Sequence, residues 1–246
     1  LSDKIKTKEE IDLLIGPARE QYLNTEASAV QTPFIGLAVF IVCIALFFVF
    51  IKLPKLIDEK IKHTYADAFR QKNLMLGVLG IFCYVGAEVA IGSYMVNYFL
   101  DMNLVSVIKE SSVMRSIAGL FLQSGLATAD DKAVVGVFVT FYWSGVMIGR
   151  FVGSYLTRIL NPGKVLGIFA LSAIGLIIIS MSTTGLVSMW SILAVGLFNS
   201  IMFPTIFTLA LGGIGDLKPK ASGLLCTAIV GGAIIPPLYG LLTDGT

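Results

Sequence analysis

This chain has one histidine, three cysteines and few charges, and those shortages exclude most chemistry. His63 has no second histidine to join it, and Cys43, Cys83 and Cys226 are scattered through apolar stretches with no CxxC pair. A zinc centre needs three or four clustered nitrogen or sulfur ligands, and a nucleophilic triad needs a histidine placed between two partners. HExxH, GxSxG and Walker-type loops are absent as well. The expectation is a protein that is not an enzyme and holds no metal or organic cofactor. Charged residues make up 14% of the chain, against about 25% in ordinary soluble domains. The net charge of +2 is too small to gather a nucleic acid, so no nucleic-acid partner is expected.

Long uncharged runs fill the space that the missing charges leave. Ala27–Ile51, Ala133–Gly149 and Ala221–Thr243 can each hold one membrane span, and Val165–Gly215 can hold two with a turn near Ser182–Ser188. Leu74–Leu100 is a sixth run, interrupted only by Glu88. None alternates with the period of two that a barrel strand requires. The fold class expected is therefore all-α, a polytopic membrane protein whose main partner is the lipid bilayer. If the segment after the first span is cytoplasmic, the inner loops collect Lys52, Lys55, Lys60, Lys62, Arg70 and Lys72, then Arg150, Arg158 and Lys164, then Lys218 and Lys220. The outer loops between spans keep only Lys109, Arg115 and Lys132. This is the positive-inside distribution, and the reverse orientation violates it.

The layout read from this pattern is a loop outside the cytoplasm over 1–31, a span over 32–53, a cytoplasmic linker over 54–73 and a set of spans over 74–246. A short solvated helix is expected within 4–22, interrupted at Pro17, and the first span is expected to start at Pro33. In the linker, Ile57, Ile61, Tyr65 and Phe69 recur every four residues, which suits a helix lying on the inner membrane surface. Val113–Leu126 reads as a helix that begins the third span early. An exported polar segment with no signal-peptide pattern is most simply a piece of a longer chain, with an odd number of spans upstream.

Glu88 carries the most functional information. A carboxyl group at mid-membrane costs at least about 2.5 kcal/mol on insertion scales, and such a group usually marks a substrate, ion or proton path. Tyr84, Glu88 and Gly92 share one helical face, Asn199 and Phe203 share another, and Tyr142, Trp143 and Ser144 are adjacent on the third span. Carboxylate and amide groups beside aromatic rings suit a neutral polyol, with the rings covering apolar sugar faces. The candidate contacts are Glu88, Tyr84, Asn199, Phe203 and Trp143. Gly145, Gly149 and Gly153 form a stripe of small residues, read as a helix-packing seam. Arg150 lies near the end of its span and is read as reaching for the interface. Asn199, Ser200 and Pro204 in the fifth span, and Gly231, Gly232, Pro236 and Pro237 in the sixth, are candidate helix breaks. A channel or a membrane scaffold is the alternative from another class. A channel wall, however, repeats like polar groups, and Glu88 stands alone.

Several strings are specific enough to resemble a family. Phe82-Cys-Tyr-Val-Gly-Ala-Glu88 resembles the start of the seventh helix of fucose–proton symporters in the major facilitator superfamily. Val30-Gln-Thr-Pro33 resembles the entry to their sixth helix and Gly149-Arg-Phe-Val-Gly153 the inner end of their eighth. Phe203-Pro-Thr-Ile-Phe207 resembles part of the tenth, and Gly231-Gly-Ala-Ile-Ile-Pro236 part of the eleventh. Glu88 stands where the fucose permeases carry glutamine, and the fuller string through Ser93 is more similar to the glucose/galactose transporters of the same branch. Phe203 stands where a tyrosine precedes the proline. The resemblance implies helices 6 to 11 of a twelve-helix transporter, with helix 12 and the N-terminal half of the same chain outside this sequence. It implies cation-coupled symport of a monosaccharide, a hexose such as glucose or galactose, with fucose or an amino sugar as the alternative. It further implies H+ or Na+ as the coupling ion, alternating access, and a bacterial inner membrane as the location. Phe203 and Tyr84 would be aromatic walls, and Glu88 a sugar contact open to a link with protonation.

Overall fold

A computed structural model describes residues 16–50, 64–122 and 129–243. Among these residues every element is helical and none is a strand. Six stretches are long and apolar enough to cross a membrane: Pro33–Phe50, Lys72–Asp101, Asp131–Ile159, Pro162–Ser182, Gly185–Ala210 and Gly215–Leu242. They coincide with the six runs read from the sequence, because an isolated apolar helix satisfies its own backbone and needs no partner to be legible.

The chain divides into two units, residues 1–60 and 61–246. Of the first, helix α1 is described, Pro17–Phe50. At Pro17 a helix begins, directly after Gly16, whose φ of +67° turns the chain. One expectation is corrected here: the apolar span starts at Pro33, but the helix does not, because Pro33 lies inside it. Good helix formers such as Arg19, Glu20, Gln21 and Leu23 precede it, and a long helix tolerates the one hydrogen bond that the proline removes. The earlier part of the expected solvated helix, together with Ile57, Ile61 and His63 of the linker, falls outside the described residues.

The second unit opens with α2 (Tyr65–Phe69), a single short helix whose Thr64 amide donates to the Asp67 carboxylate at 2.8 Å. The second span is α3 (Lys72–Asp101). Asn103, at φ 53°, turns the chain into α4 (Leu104–Glu110), and α5 (Ser112–Phe121) follows. The expectation that the Val113 segment begins the third span early is corrected. Helix α5 ends at Phe121 and the span, α6 (Asp131–Ile159), starts afresh. The fourth span, α7 (Pro162–Ser182), has a clear start signal. Asn161 Oδ1 accepts from the amides of Gly163 and Lys164 at 2.9 and 3.4 Å, and Pro162 occupies the first turn, where no amide is needed.

The fifth span is broken into α8 (Gly185–Asn199) and α9 (Met202–Ala210). The sixth is broken into α10 (Lys218–Thr227), a 3-10 turn over Ala228–Val230, and α11 (Gly231–Thr243). Both breaks fall where asparagine, serine, glycine and proline had marked candidates, although Pro236 and Pro237 themselves sit within α11. The 3-10 turn ends just before Gly231, where a Cβ would overlap the Phe82 carbonyl of α3.

Packing follows two seams. Helix α8 runs along α6 and α7, while α11 runs along α3. On the first seam a Cβ at Gly149 would overlap the Leu197 carbonyl oxygen, and one at Gly153 would overlap the Ile201 side chain. Gly145 is less crowded: a Cβ there would lie 3.4 Å from the Leu197 amide nitrogen. In lipid, helices associate through such close backbone approach rather than through a hydrophobic drive.

The buried core is accordingly divided. A large cluster built on Phe99, Phe138, Tyr142 and Met189 extends along the bundle as far as Val165 and Met202. A small one built on Leu74, Ile81, Ala221 and Leu225 fills the basic end, where Arg158, Lys164 and Lys218 collect.

Candidate functional site

The bend in the fifth span creates a cavity. Above it, α8 lies against α6; below it, α9 packs chiefly on α3. Pro204 has no amide hydrogen, so the Ser200 carbonyl loses its helical partner and the joint is weak on that side. The diverging helices enclose about 700 Å³ between α3, α6 and α9. That volume falls within the few-hundred to thousand Å³ range of small-molecule sites. Tyr84 and Glu88 line it from α3, Arg150 and Ser154 from α6, and Phe203 from the start of α9. It extends from the middle of α3 toward the basic end.

Hydrogen bonds tie its inner wall together. The Tyr84 hydroxyl donates to the Asn199 carbonyl at 2.8 Å, at the point where α8 ends. Asn199 Nδ2 donates to the Tyr142 hydroxyl at 3.1 Å. Three other hydroxyls along the cavity bond to nearby carbonyls of their own span. Ser200 Oγ donates to Leu197 O at 2.7 Å, Thr157 Oγ1 to Ser154 O at 3.1 Å and Thr208 Oγ1 to Pro204 O at 2.9 Å. Two charged groups keep open capacity. The half-buried Glu88 carboxylate sits beside the Tyr84 hydroxyl, and the Arg150 guanidinium is close enough for its charge to act on Glu88. Together they offer acceptors from one wall and donors from another.

The five expected contacts divide. Glu88, Tyr84 and Phe203 line the cavity. Asn199 is buried, 6% exposed, with its amide engaged by Tyr142. Trp143 does not line the cavity, is 54% exposed and meets Tyr142 edge-on, with ring centres 5.4 Å apart. Arg150 was missed. Its place near the end of a span suggested a side chain reaching for the interface, whereas it faces the cavity. The signal that could have found it was spacing, because Arg150, Ser154 and Thr157 fall on one helical face.

A second polar cluster lies at the opposite end. The Tyr98 hydroxyl lies within hydrogen-bonding distance of Ser188 Oγ, at 2.8 Å, and of Ser180 Oγ, at 3.1 Å, with one hydrogen to give to either. Each serine also donates across the turn, Ser180 Oγ to Ser188 O at 3.0 Å and Ser188 Oγ to Ser180 O at 2.8 Å. Both serines are buried.

The crystal structure of FucP, a major facilitator superfamily transporter in the outward conformation, superposes with a TM-score of 0.69. The alignment covers 99% of this chain and 55% of that one at 24% identity. The fold is that of the major facilitator superfamily. No family model matches the chain. The glucose/galactose transporter of Brucella abortus (strain 9-941) is 40% identical over 235 residues, 94% of this chain and 52% of the relative. The putative glucose/galactose transporter of Helicobacter pylori (strain 26695) is 41% identical over 220 residues, 89% of this chain and 48% of the relative. The L-fucose-proton symporter of Escherichia coli K12 is 29% identical over 91% of this chain and 47% of its own length. The chain thus spans about half the length of the curated relatives it matches. A major facilitator fold with six apolar helices and bacterial relatives of this kind is a multi-pass integral protein of a bacterial inner membrane.

Proposed function

We propose that this chain supplies one wall of the sugar site in a transporter of a neutral monosaccharide, with a hexose such as glucose or galactose as substrate. One observation carries the reading: the cavity at the bend brings together a carboxylate, a guanidinium and two aromatic rings, on helices about 40% identical to glucose/galactose transporters. Glu88 accepts from sugar hydroxyls, Arg150 donates to them, and Tyr84 and Phe203 cover the apolar faces of the ring. Hydrogen bonds to charged groups contribute about 1.5–3 kcal/mol each, and they discriminate, because an unmet partner stays desolvated. Asn199 acts behind the surface by holding Tyr142 and the end of α8 in place.

Transport in this reading is by alternating access: the two halves of the full transporter rock about a sugar at mid-membrane. Uphill accumulation draws on a coupled cation, H+ or Na+. Fucose is the second reading, favoured by the 29% identity to an L-fucose-proton symporter. The test is uptake of labelled glucose into proteoliposomes holding the full-length protein, in competition with unlabelled galactose and fucose. Competition by galactose and not by fucose is expected. Competition by fucose alone selects the second reading, and no saturable uptake of any of the three overturns both.

A further inference from the structure

We propose that Tyr84 is a positioning residue that ties the state of Glu88 to the bend in the fifth span, by giving its one hydroxyl proton either to the Asn199 carbonyl or to the Glu88 carboxylate. The inference rests on the reading of Glu88 as the group that meets substrate.

Proton bookkeeping carries the argument. A tyrosine hydroxyl has one hydrogen to donate. In this structure it goes to the Asn199 carbonyl, at 2.8 Å. The Glu88 carboxylate lies one helical turn farther along α3, on the same face and within side-chain hydrogen-bonding reach of the same hydroxyl. Both acceptors cannot be served at once.

The acceptor in use sits at a mechanical joint. Asn199 is the last residue of α8, Ile201 the last before α9, and Pro204 denies the Ser200 carbonyl its usual partner. The Tyr84 bond therefore anchors to α3 the one place where the fifth span lacks its own ladder. Tyr142 steadies the same residue from α6 by accepting from its amide. The bend, in turn, sets how far α9 stands from α6, and hence the width of the cavity.

The competition has a definite sign. A charge-assisted hydrogen bond is roughly twice as strong as a neutral one. An ionised Glu88 with no ligand draws the Tyr84 proton away from Asn199 and frees the joint. A protonated Glu88, or one whose oxygens are occupied by ligand hydroxyls, leaves the proton on Asn199 and the joint anchored. The groups facing this pair are few. Arg150 and Tyr142 face it from α6, neutral Asn199 faces it from α8, and among the described residues no charged side chain of α9, α10 or α11 lines the cavity.

The test uses the full-length transporter in lipid nanodiscs with spin labels at Arg158 and Leu209, which flank the cavity on α6 and α9 without lining it. The distance between the labels is measured from pH 5 to pH 9 without sugar. In the otherwise unaltered protein the distance should shift with pH, and Glu88→Gln should abolish the shift. Tyr84→Phe, which keeps the ring and removes only the hydroxyl, should abolish it too. A pH-dependent shift that survives intact in Tyr84→Phe overturns the proposal, as does a distance that never responds to pH in the unaltered protein. A merely structural Tyr84 would change the distance equally at every pH and leave the shift in place, which also overturns it. Glucose, galactose and fucose are then added to the same samples. Failure of all three to bind counts against the sugar reading alone, since the titration is judged without them.

Discussion

Two polar clusters sit in this bundle, and they differ in what they leave undone. At one end Tyr98, Ser180 and Ser188 exchange hydrogen bonds among themselves and with each other's backbone until both buried serines are satisfied. At the bend, Tyr84, Asn199 and Tyr142 form a similar chain, but it borders Glu88 and Arg150, which face about 700 Å³ of open space. A saturated cluster holds helices together; an unsaturated one at a cavity wall can bind. The comparison shows that polarity inside a membrane bundle does not identify a site by itself. The decisive property is donor and acceptor capacity that the protein does not consume.

The comparison can be broken in order of severity. The largest effect should come from Gly149→Leu, which forces a branched side chain against the Leu197 carbonyl and separates α6 from α8. Both clusters then lose their frame, and little folded protein should elute as a single species from size exclusion. Full recovery with normal uptake would mean that α6 and α8 do not need this approach.

Glu88→Gln comes next. If the carboxylate both binds sugar and carries the coupled proton, uphill accumulation should vanish while sugar exchange across the membrane persists, because exchange needs no net proton release. If Glu88 only binds sugar, accumulation survives with weakened affinity. Measuring both on one preparation separates these outcomes, and wild-type values in both would remove Glu88 from the site.

Arg150→Gln should weaken sugar binding by about 10- to 100-fold, the value of one or two hydrogen bonds from a charged donor. Calorimetric titration of the full-length protein checks this. An unchanged affinity would return Arg150 to the membrane interface.

Ser188→Ala sharpens the contrast from the other side. It should lower stability by about 0.6–1.7 kcal/mol, as for polar pairs between membrane helices, and leave sugar affinity alone. Thermal unfolding and binding are the two readouts, and a loss of affinity without a loss of stability would reverse the assignment. The smallest effect expected is the difference between Phe203→Ala and Phe207→Ala. The two rings lie 6.0 Å apart, but only Phe203 lines the cavity. Phe203→Ala should reduce affinity by about tenfold more than its neighbour, as judged by competition binding.

How much of this was legible in the sequence depended on the range of the physics involved. The spans were plain, since each apolar run satisfies its backbone locally and declares itself by length alone. Glu88 was plain because an intramembrane acid is rare enough to stand out. The weak joint near Asn199 and Pro204 was also readable, because proline removes an amide wherever it sits. Tertiary facts were not. Asn199 looked like a sugar contact by residue type, yet its amide is engaged by Tyr142, fifty-seven residues away in sequence. Trp143 neighbours the right residues, but it is exposed and does not line the cavity at the bend. Arg150 was discounted for its depth in the span, when the divergence of α9 from α6 is what turns that position into a cavity wall. Pro33 misled in the opposite way: a good helix-start signal lies inside a helix that better helix formers had already begun.

The joint at Ser200 makes α9 a lever. Nine residues at 1.5 Å each give an arm of about 13 Å. A swing of about 10° around that joint carries its far end by about 2 Å, close to the size of a water molecule. Under the proposed coupling, that displacement would widen or narrow the basic side of the cavity without any helix unfolding and with the α6–α8 seam unmoved. The lever would then have a mechanical advantage built in: a change of one hydrogen bond at the short end would be read out as access or exclusion at the long one.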